Sequence, residues 1–205
     1  GCRIRVMAGV TMARAAVFAA KQGFSGLEFA HGIPGTVGGG VYMNAGAYGS
    51  DISAVCVEAE LMDWEGNIRT ADAEALDFSY RHSVLEETGE TVVSAVFRLT
   101  PGDKAEIQAK MKELQTKRLA SQPLNLPSAG SAFKRPSRGY AAALIDEAGL
   151  KGYRVGDAAI SEKHAGFAVN LGAATAFQVR QLLWEVAQRV EAQSGVHLEP
   201  EIRIW

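Results

Sequence analysis

Seven of the chain's 22 glycines fall between Gly32 and Gly49, and this clustering constrains the fold more than any other feature. Glycine lacks a Cβ and tolerates positive φ, so Gly32-Ile33-Pro34-Gly35-Thr36-Val37-Gly38-Gly39-Gly40 describes a backbone that must come close to something. Successive N–H groups of such a segment can point at a phosphate or a planar ring. The continuation Met43-Asn44-Ala45-Gly46-Ala47-Tyr48-Gly49 keeps the side chains small. No Gly-Lys-Ser/Thr closes the segment as in a Walker loop, and the G-x-G-x-x-G dinucleotide spacing is absent. Composition alone leaves two readings open: a ligand cradle, or tight turns packed under a sheet.

The rest of the sequence reads as α+β in two units. Gly1 to Gly9 alternates polar and apolar, as a strand already inside a sheet does. Thr11 caps an alanine-rich helix to about Lys21, stopped by Gly23. Ala54 to Trp64 and Thr91 to Leu99 read as strands, with a hairpin turn at Glu65-Gly66-Asn67. Pro101-Gly102 punctuates the chain, so the expected division is 1–102 and 103–205. A charged helical pattern then runs from Asp103 to about Leu119. Gln122 to Ser128 is extended loop, because its two prolines disfavour helix before them. Ala141 to Ala148 reads as a short helix, and Ala158 to Ile160 and Phe167 to Asn170 as short strands. Thr175 caps a long amphipathic helix to about Ser194, with Val179, Leu182, Leu183, Val186 and Val190 on one stripe. Leu198 to Ile204 alternates as an expected final strand.

Charge and cysteine usage exclude several classes. Lys and Arg total 21 against 23 Asp and Glu, so the net charge of −2 argues against a nucleic-acid scaffold held by phosphate contacts. Apolar runs are broken well short of about 18 residues, so no membrane span or partner bilayer is expected. Cys2 and Cys56 cannot build a disulfide framework or a four-ligand zinc site, and no other cluster suggests a metal. A reducing, cytoplasmic setting fits this pattern, with no obligate protein partner evident.

Five motifs in fixed order carry a family resemblance. They are Gly32 to Gly49, Ser79-Tyr80-Arg81-His82-Ser83, Ala129-Gly130-Ser131-Ala132-Phe133-Lys134-Arg135-Pro136, Ser161-Glu162-Lys163-His164-Ala165-Gly166-Phe167 and Leu198-Glu199-Pro200-Glu201. Together they resemble the bacterial UDP-N-acetylenolpyruvoylglucosamine reductases, the MurB flavoenzymes, in their shorter subtype. The resemblance implies the remainder of a vanillyl-alcohol-oxidase-type FAD-binding domain, followed by an α+β substrate-binding domain. A strand and a Gly-Ser-Asn phosphate loop that precede these motifs in the family are not in this sequence, so the N-terminal part of the FAD domain is expected to be missing. The implied activity is reduction of UDP-N-acetylglucosamine enolpyruvate to UDP-N-acetylmuramate, with FAD as cofactor and NADPH as hydride donor, in peptidoglycan precursor synthesis. The alternative is a flavin-free fragment that retains only UDP-sugar binding.

The resemblance also assigns residues. Cofactor binding falls on Gly32, Ile33, Pro34, Gly35, Thr36, Gly38, Gly39, Asn44, Gly46 and Ala47. Substrate binding falls on Tyr80, Lys134, Arg135 and His164, and catalysis on Arg81, Ser131 and Glu201. The chemistry suits these types. Hydride addition to an enol ether leaves an enolate that must be neutralised and then protonated on carbon. A guanidinium is permanently charged and grips a carboxylate bidentately, which fits Arg81. Ser131 fits the general acid, given neighbours that stabilise its alkoxide. Glu201 would act as a protonated second acid. On an extended strand Glu199 would share its face and be a like-charge neighbour. Lys117, Arg118, Lys134 and Lys151 are candidate cations for a diphosphate. Read without the motifs, Arg81 is a surface arginine, Ser131 a turn serine and Glu201 a solvated strand residue.

Overall fold

The computed structural model of the chain describes residues 2–203, so Gly1 and Ile204, at the outer ends of the first and last expected strands, lie outside it. The chain divides into two compact units after Arg118. Each mixes helices with an antiparallel sheet.

The N-terminal unit is organised by one long strand. In chain order it contains β1 (Cys2–Met7), α1 (Met12–Gln22), β2 (Phe24–Ser25), α2 (Val37–Tyr42), β3 (Gly46–Ala47), β4 (Ser50–Asp51), β5 (Cys56–Met62), β6 (Ile68–Asp72), α3 (Leu85–Thr88) and β7 (Thr91–Pro101). The sheet order is β1-β7-β5-β6, with β2 also pairing β7 and every pairing antiparallel. The register sets Ile4 opposite Phe97 and Ala59 opposite Ala95, all buried. Asp63 organises the expected β5–β6 turn, its Oδ1 accepting N–H groups from Glu65 and Asn67 at 3.0 and 2.8 Å.

Helix α1 forms where its capping signals say. Thr11 Oγ1 accepts the Arg14 N–H at 3.3 Å, and Gly23 ends the helix at φ 76°. It buries Met12, Ala15, Ala16, Ala19 and Ala20, and the small alanines let the helix lie close to its neighbours.

One element goes beyond the sequence reading, and one expected boundary is corrected. The glycine-rich segment contains a helix, α2, although glycine costs about 1 kcal/mol per residue relative to alanine. Thr36 Oγ1 caps it by accepting the Gly39 N–H at 3.3 Å, and buried Val37 and Val41 fix it to the core, so packing overrides propensity. The unit also runs past residue 102. Helix α4 (Lys104–Ser121) buries Ile107, Met111 and Leu114, and the first two belong to the N-terminal core.

The second unit contains β8 (Ser128–Ser131), α5 (Ala141–Glu147), β9 (Arg154–Val155), β10 (Ala158–Ile160), β11 (Phe167–Asn170) and α6 (Ala176–Ser194). Its sheet runs β8-β11-β10-β9, all antiparallel. Thr175 and Gln178 form a reciprocal capping box on α6, and Gly195 closes that helix at φ 70°. The apolar stripe buries Leu182, Leu183, Val186 and Val190 in the core of this unit, with Val179 packed against it.

The final strand expected over Leu198 to Ile204 does not form among the described residues. Only an isolated antiparallel bridge joins Phe133 to Pro200. Its two hydrogen bonds come from the flanking residues, Lys134 N–H to the Glu199 carbonyl and Glu201 N–H to the Ala132 carbonyl, so the Pro200 nitrogen faces away from the partner segment and its missing N–H costs no bond there.

Candidate active site

The glycines of the N-terminal unit sort into two groups by what a Cβ would meet. At Gly38 it would lie 2.9 Å from the Ala8 Cβ, at Gly40 2.8 Å from the Met12 sulfur, and at Gly46 2.7 Å from both the Asp51 Cβ and the Ser50 carbonyl. These three glycines are explained by the chain's own packing. Gly38 also spends its N–H on the Ala8 carbonyl at 2.9 Å, as Val37 does on Val10 at 2.8 Å. Gly35, at φ 126°, has nothing within 4 Å, and a Cβ on Gly39 would meet only Thr36 Oγ1, at 3.7 Å. The packed-turn reading therefore holds for Gly38, Gly40 and Gly46. Gly35 is required by its positive φ, and beside both Gly35 and Gly39 the backbone is left open.

Two polar groups at the start of this segment were not singled out for the cofactor by sequence. His31 Nδ1 is buried without a hydrogen-bond partner among the described residues. The half-buried Arg118 side chain packs along Gly32, whose Cβ would lie 3.0 Å from Arg118 Cδ. Burial draws that guanidinium below the usual arginine value, partly offset by Tyr48. An unsatisfied ring nitrogen and a partly desolvated cation at the head of the glycine-rich segment suit a large, polar, anionic ligand such as a flavin dinucleotide.

Arg81 lies in the same unit and is held from several directions. It sits at φ 57°, a conformation that costs a non-glycine residue roughly 1–2 kcal/mol. Ser79 and His82 exchange backbone hydrogen bonds around it, at 3.1 and 3.3 Å. The guanidinium donates to the Gly46 carbonyl at 3.1 Å and stacks 5.0 Å from the centre of the Tyr80 ring. Buried Asn44, at φ 40°, donates Nδ2–H to the Ser79 carbonyl at 2.8 Å and accepts the Ser53 N–H at 2.9 Å. Asn44 thus has a positioning role, tying the glycine segment to the arginine turn. Ser83, fully buried, adds a hydrogen bond to the Tyr42 carbonyl at 2.8 Å.

The second unit gathers Ser131, Lys134 and Glu201 about the isolated bridge. Glu201 N–H donates to the Ala132 carbonyl and Lys134 N–H to the Glu199 carbonyl, both at 2.9 Å. The backbone holding Ser131 therefore runs beside the backbone holding Glu201. The carboxylate of Glu199, the expected like-charge neighbour of Glu201, pairs with Lys134 Nζ at 2.5 Å. Ser131 is exposed at the end of β8, opposite Phe167. Gly130, at φ 92°, makes the bend before it. Arg135 stacks 4.4 Å from the Tyr140 ring centre.

His164 is half-buried, edge-on to Phe167 at 5.0 Å. Its Nδ1 accepts the Gly166 N–H at 3.1 Å, so a neutral ring carries its proton on Nε2 as a donor. Burial holds the imidazole below its usual value, a backbone hydrogen bond opposes this, and the Lys151 charge adds to the lowering. Two of the other candidate cations are already paired: Lys117 with Glu113 at 2.5 Å and Lys151 with Asp146 at 2.6 Å. Among the described residues no group of three or more His, Cys, Asp or Glu side chains could hold a metal ion, and no helix is long and apolar enough to cross a membrane.

Comparison with known proteins agrees with both halves. An FAD binding domain model matches residues 1–72, and the model of the UDP-N-acetylenolpyruvoylglucosamine reductase C-terminal domain matches 122–205. The UDP-N-acetylenolpyruvoylglucosamine reductase of Agathobacter rectalis is 52% identical over 197 residues, covering 96% of this chain and 63% of that protein. The reductase of Levilactobacillus brevis is 48% identical over 204 residues, covering all of this chain and 67% of that protein. The crystal structure of the reductase (MurB) from Thermus caldophilus superposes with a TM-score of 0.86 at 39% identity, over 98% of this chain and 73% of that one. The chain spans about two thirds of the length of the curated relatives it matches. With both domain models matched in order and nearly its whole length aligned to these relatives, the chain belongs to the UDP-N-acetylenolpyruvoylglucosamine reductase family.

Proposed function

We propose that this chain carries the catalytic residues of an FAD-dependent reductase that converts UDP-N-acetylglucosamine enolpyruvate to UDP-N-acetylmuramate in peptidoglycan precursor synthesis, with NADPH as the source of hydride. The observation that supports it most is the backbone pairing of Ala132 with Glu201, which sets the Ser131 turn beside the Glu201 segment. The relatives that span the chain carry that reductase's name. Both cysteines are free, in keeping with a cytoplasmic enzyme.

FAD would be held by Gly32 to Thr36, by the open face at Gly39 and by Ala47. Gly38 and Gly46 shape this backbone from behind, as does Asn44. When bound, the flavin supplies reversible uptake and delivery of hydride. The chain's own residues do the rest. Arg81 neutralises the substrate carboxylate as charge spreads into it. Ser131 donates a proton to the adjacent carbon, and Glu201 stabilises the enol form. Tyr80, Lys134, Arg135 and the Nε2 donor of His164 orient the nucleotide sugar.

A test is to replace Ser131 by alanine in flavin-loaded protein. Turnover should fall on the order of 10²–10⁴-fold, while flavin bleaching by NADPH in stopped flow keeps its wild-type rate. Equal loss of both half-reactions would remove Ser131 from proton donation. A colourless protein that still binds UDP-sugars would reduce the reading to a nucleotide-sugar-binding unit.

A further inference from the structure

We infer that Glu199 governs anion binding by the second unit, through a carboxylate that occupies Lys134 until a diphosphate replaces it. This rests on the reading of Lys134 as a contact for the nucleotide's diphosphate. Glu199 is a positioning residue here, since it acts through Lys134 and touches no reacting atom.

The geometry is built from both ends. Lys134 and Glu199 are 65 residues apart, yet their backbones are hydrogen-bonded at 2.9 Å and their side chains meet at 2.5 Å. The bridge between Phe133 and Pro200 fixes the register beside them. The pair is therefore delivered by the same pairing that holds the Ser131 turn against Glu201. The side chains are 36% exposed for Lys134 and 64% for Glu199. Solvent reaches the pair, so the ion pair is weak and exchangeable. A diphosphate brings more charge and several acceptor oxygens to one ammonium, so it displaces a single carboxylate.

Such an arrangement has a purpose that a bare lysine lacks. The carboxylate keeps the ammonium oriented along the bridge while the site is empty. It also sets a threshold, because a singly charged anion gains little by displacing another carboxylate. Selectivity for a nucleoside diphosphate over weaker anions then follows from charge count.

The experiment is calorimetric titration of the full 205-residue chain with UDP and with uridine, on wild type, Glu199→Gln, Lys134→Ala and the double variant. Glu199→Gln should bind UDP about two- to five-fold more tightly, the range an exposed ion pair supports. Uridine binding should not change, and the gain should vanish in the Lys134→Ala background. Unchanged or weakened UDP binding by Glu199→Gln overturns the inference, and so does an equal gain for uridine. If Lys134→Ala binds UDP as wild type does, or wild type does not bind UDP, the reading of Lys134 itself fails and the inference falls with it. Near-ultraviolet circular dichroism of each variant should match wild type, as expected for two side chains at the surface.

Discussion

Asn44 donates its side-chain amide to the Ser79 carbonyl at 2.8 Å, across 35 residues of sequence, and so joins the glycine-rich segment to the turn that carries Arg81. The same side chain accepts from Ser53 with its other end. One buried amide therefore coordinates three loops. In Asn44→Asp the acceptor half survives and the donor half becomes an oxygen facing a carbonyl. That leaves a buried group unsatisfied, at about 1–3 kcal/mol. The expected result is a lower urea midpoint with unchanged slope, together with a fall in turnover that an Arg81→Ala background no longer shows. A turnover loss of the same size in both backgrounds would separate Asn44 from the arginine.

Neighbouring glycines should respond in opposite ways. A methyl at Gly38 would lie 2.9 Å from the Ala8 Cβ, so Gly38→Ala should cost about 1–3 kcal/mol through overpacking. At Gly39 there is room, and alanine favours the helix by up to about 1 kcal/mol. Gly39→Ala should therefore melt at or above the wild-type temperature while binding FAD more weakly by fluorescence titration. A stable variant with undiminished flavin affinity would move the cofactor off that face.

His164 gives a pH signature. Its folded value lies below the usual one, first because of burial. The unfolded chain then binds the extra proton more readily, so this residue's contribution to stability is complete above the unfolded value. It is lost as pH falls through the folded value. Asparagine keeps an acceptor for the Gly166 N–H without titrating. Between pH 7.5 and 5.5 wild type should lose more stability than His164→Asn in matched urea titrations. Parallel curves would mean the ring does not titrate in that window.

Cys56 should be chemically quiet. Burial pushes its thiol up to about 11, partly offset by its contact with the Glu58 carbonyl at 3.7 Å. Thiolate is then scarce at neutral pH. A disulfide reagent at pH 8 should modify native protein at Cys2 only, and both thiols after unfolding in urea. Rapid labelling of native Cys56 would show that β5 opens readily.

How much of this was legible in the sequence depended on how local the cause was. Thr175, Gln178 and Gly195 spell out both ends of α6 within three residues of each terminus, and that helix formed as read. The helix Val37–Tyr42 was hidden because its three glycines speak against helix and its stabilisation comes from the core. Leu198 to Ile204 alternates convincingly, yet among the described residues only the two flanking Pro200 find backbone partners in the Phe133 segment, and periodicity does not say whether a partner strand is present. In the site, Arg81 and Ser131 were named by family resemblance, since an isolated arginine or turn serine carries no signal. The partners of Asn44 and Glu199 lie 35 and 65 residues away, and no spacing rule reaches that far.

The long strand β7 has a consequence for how the N-terminal unit comes into being. Cys2 pairs with Leu99 and Met7 with Ser94, while β5 takes the other side of the same strand. During synthesis, β1 leaves the ribosome long before its partner exists. Helix α1 can coil early from local signals, but the sheet is assembled only once residues 91–101 arrive and are inserted between two waiting strands. Closing a loop that long is slow. Until then two strand edges are exposed, and in a crowded cell that interval is when nascent chains are most prone to stick to one another.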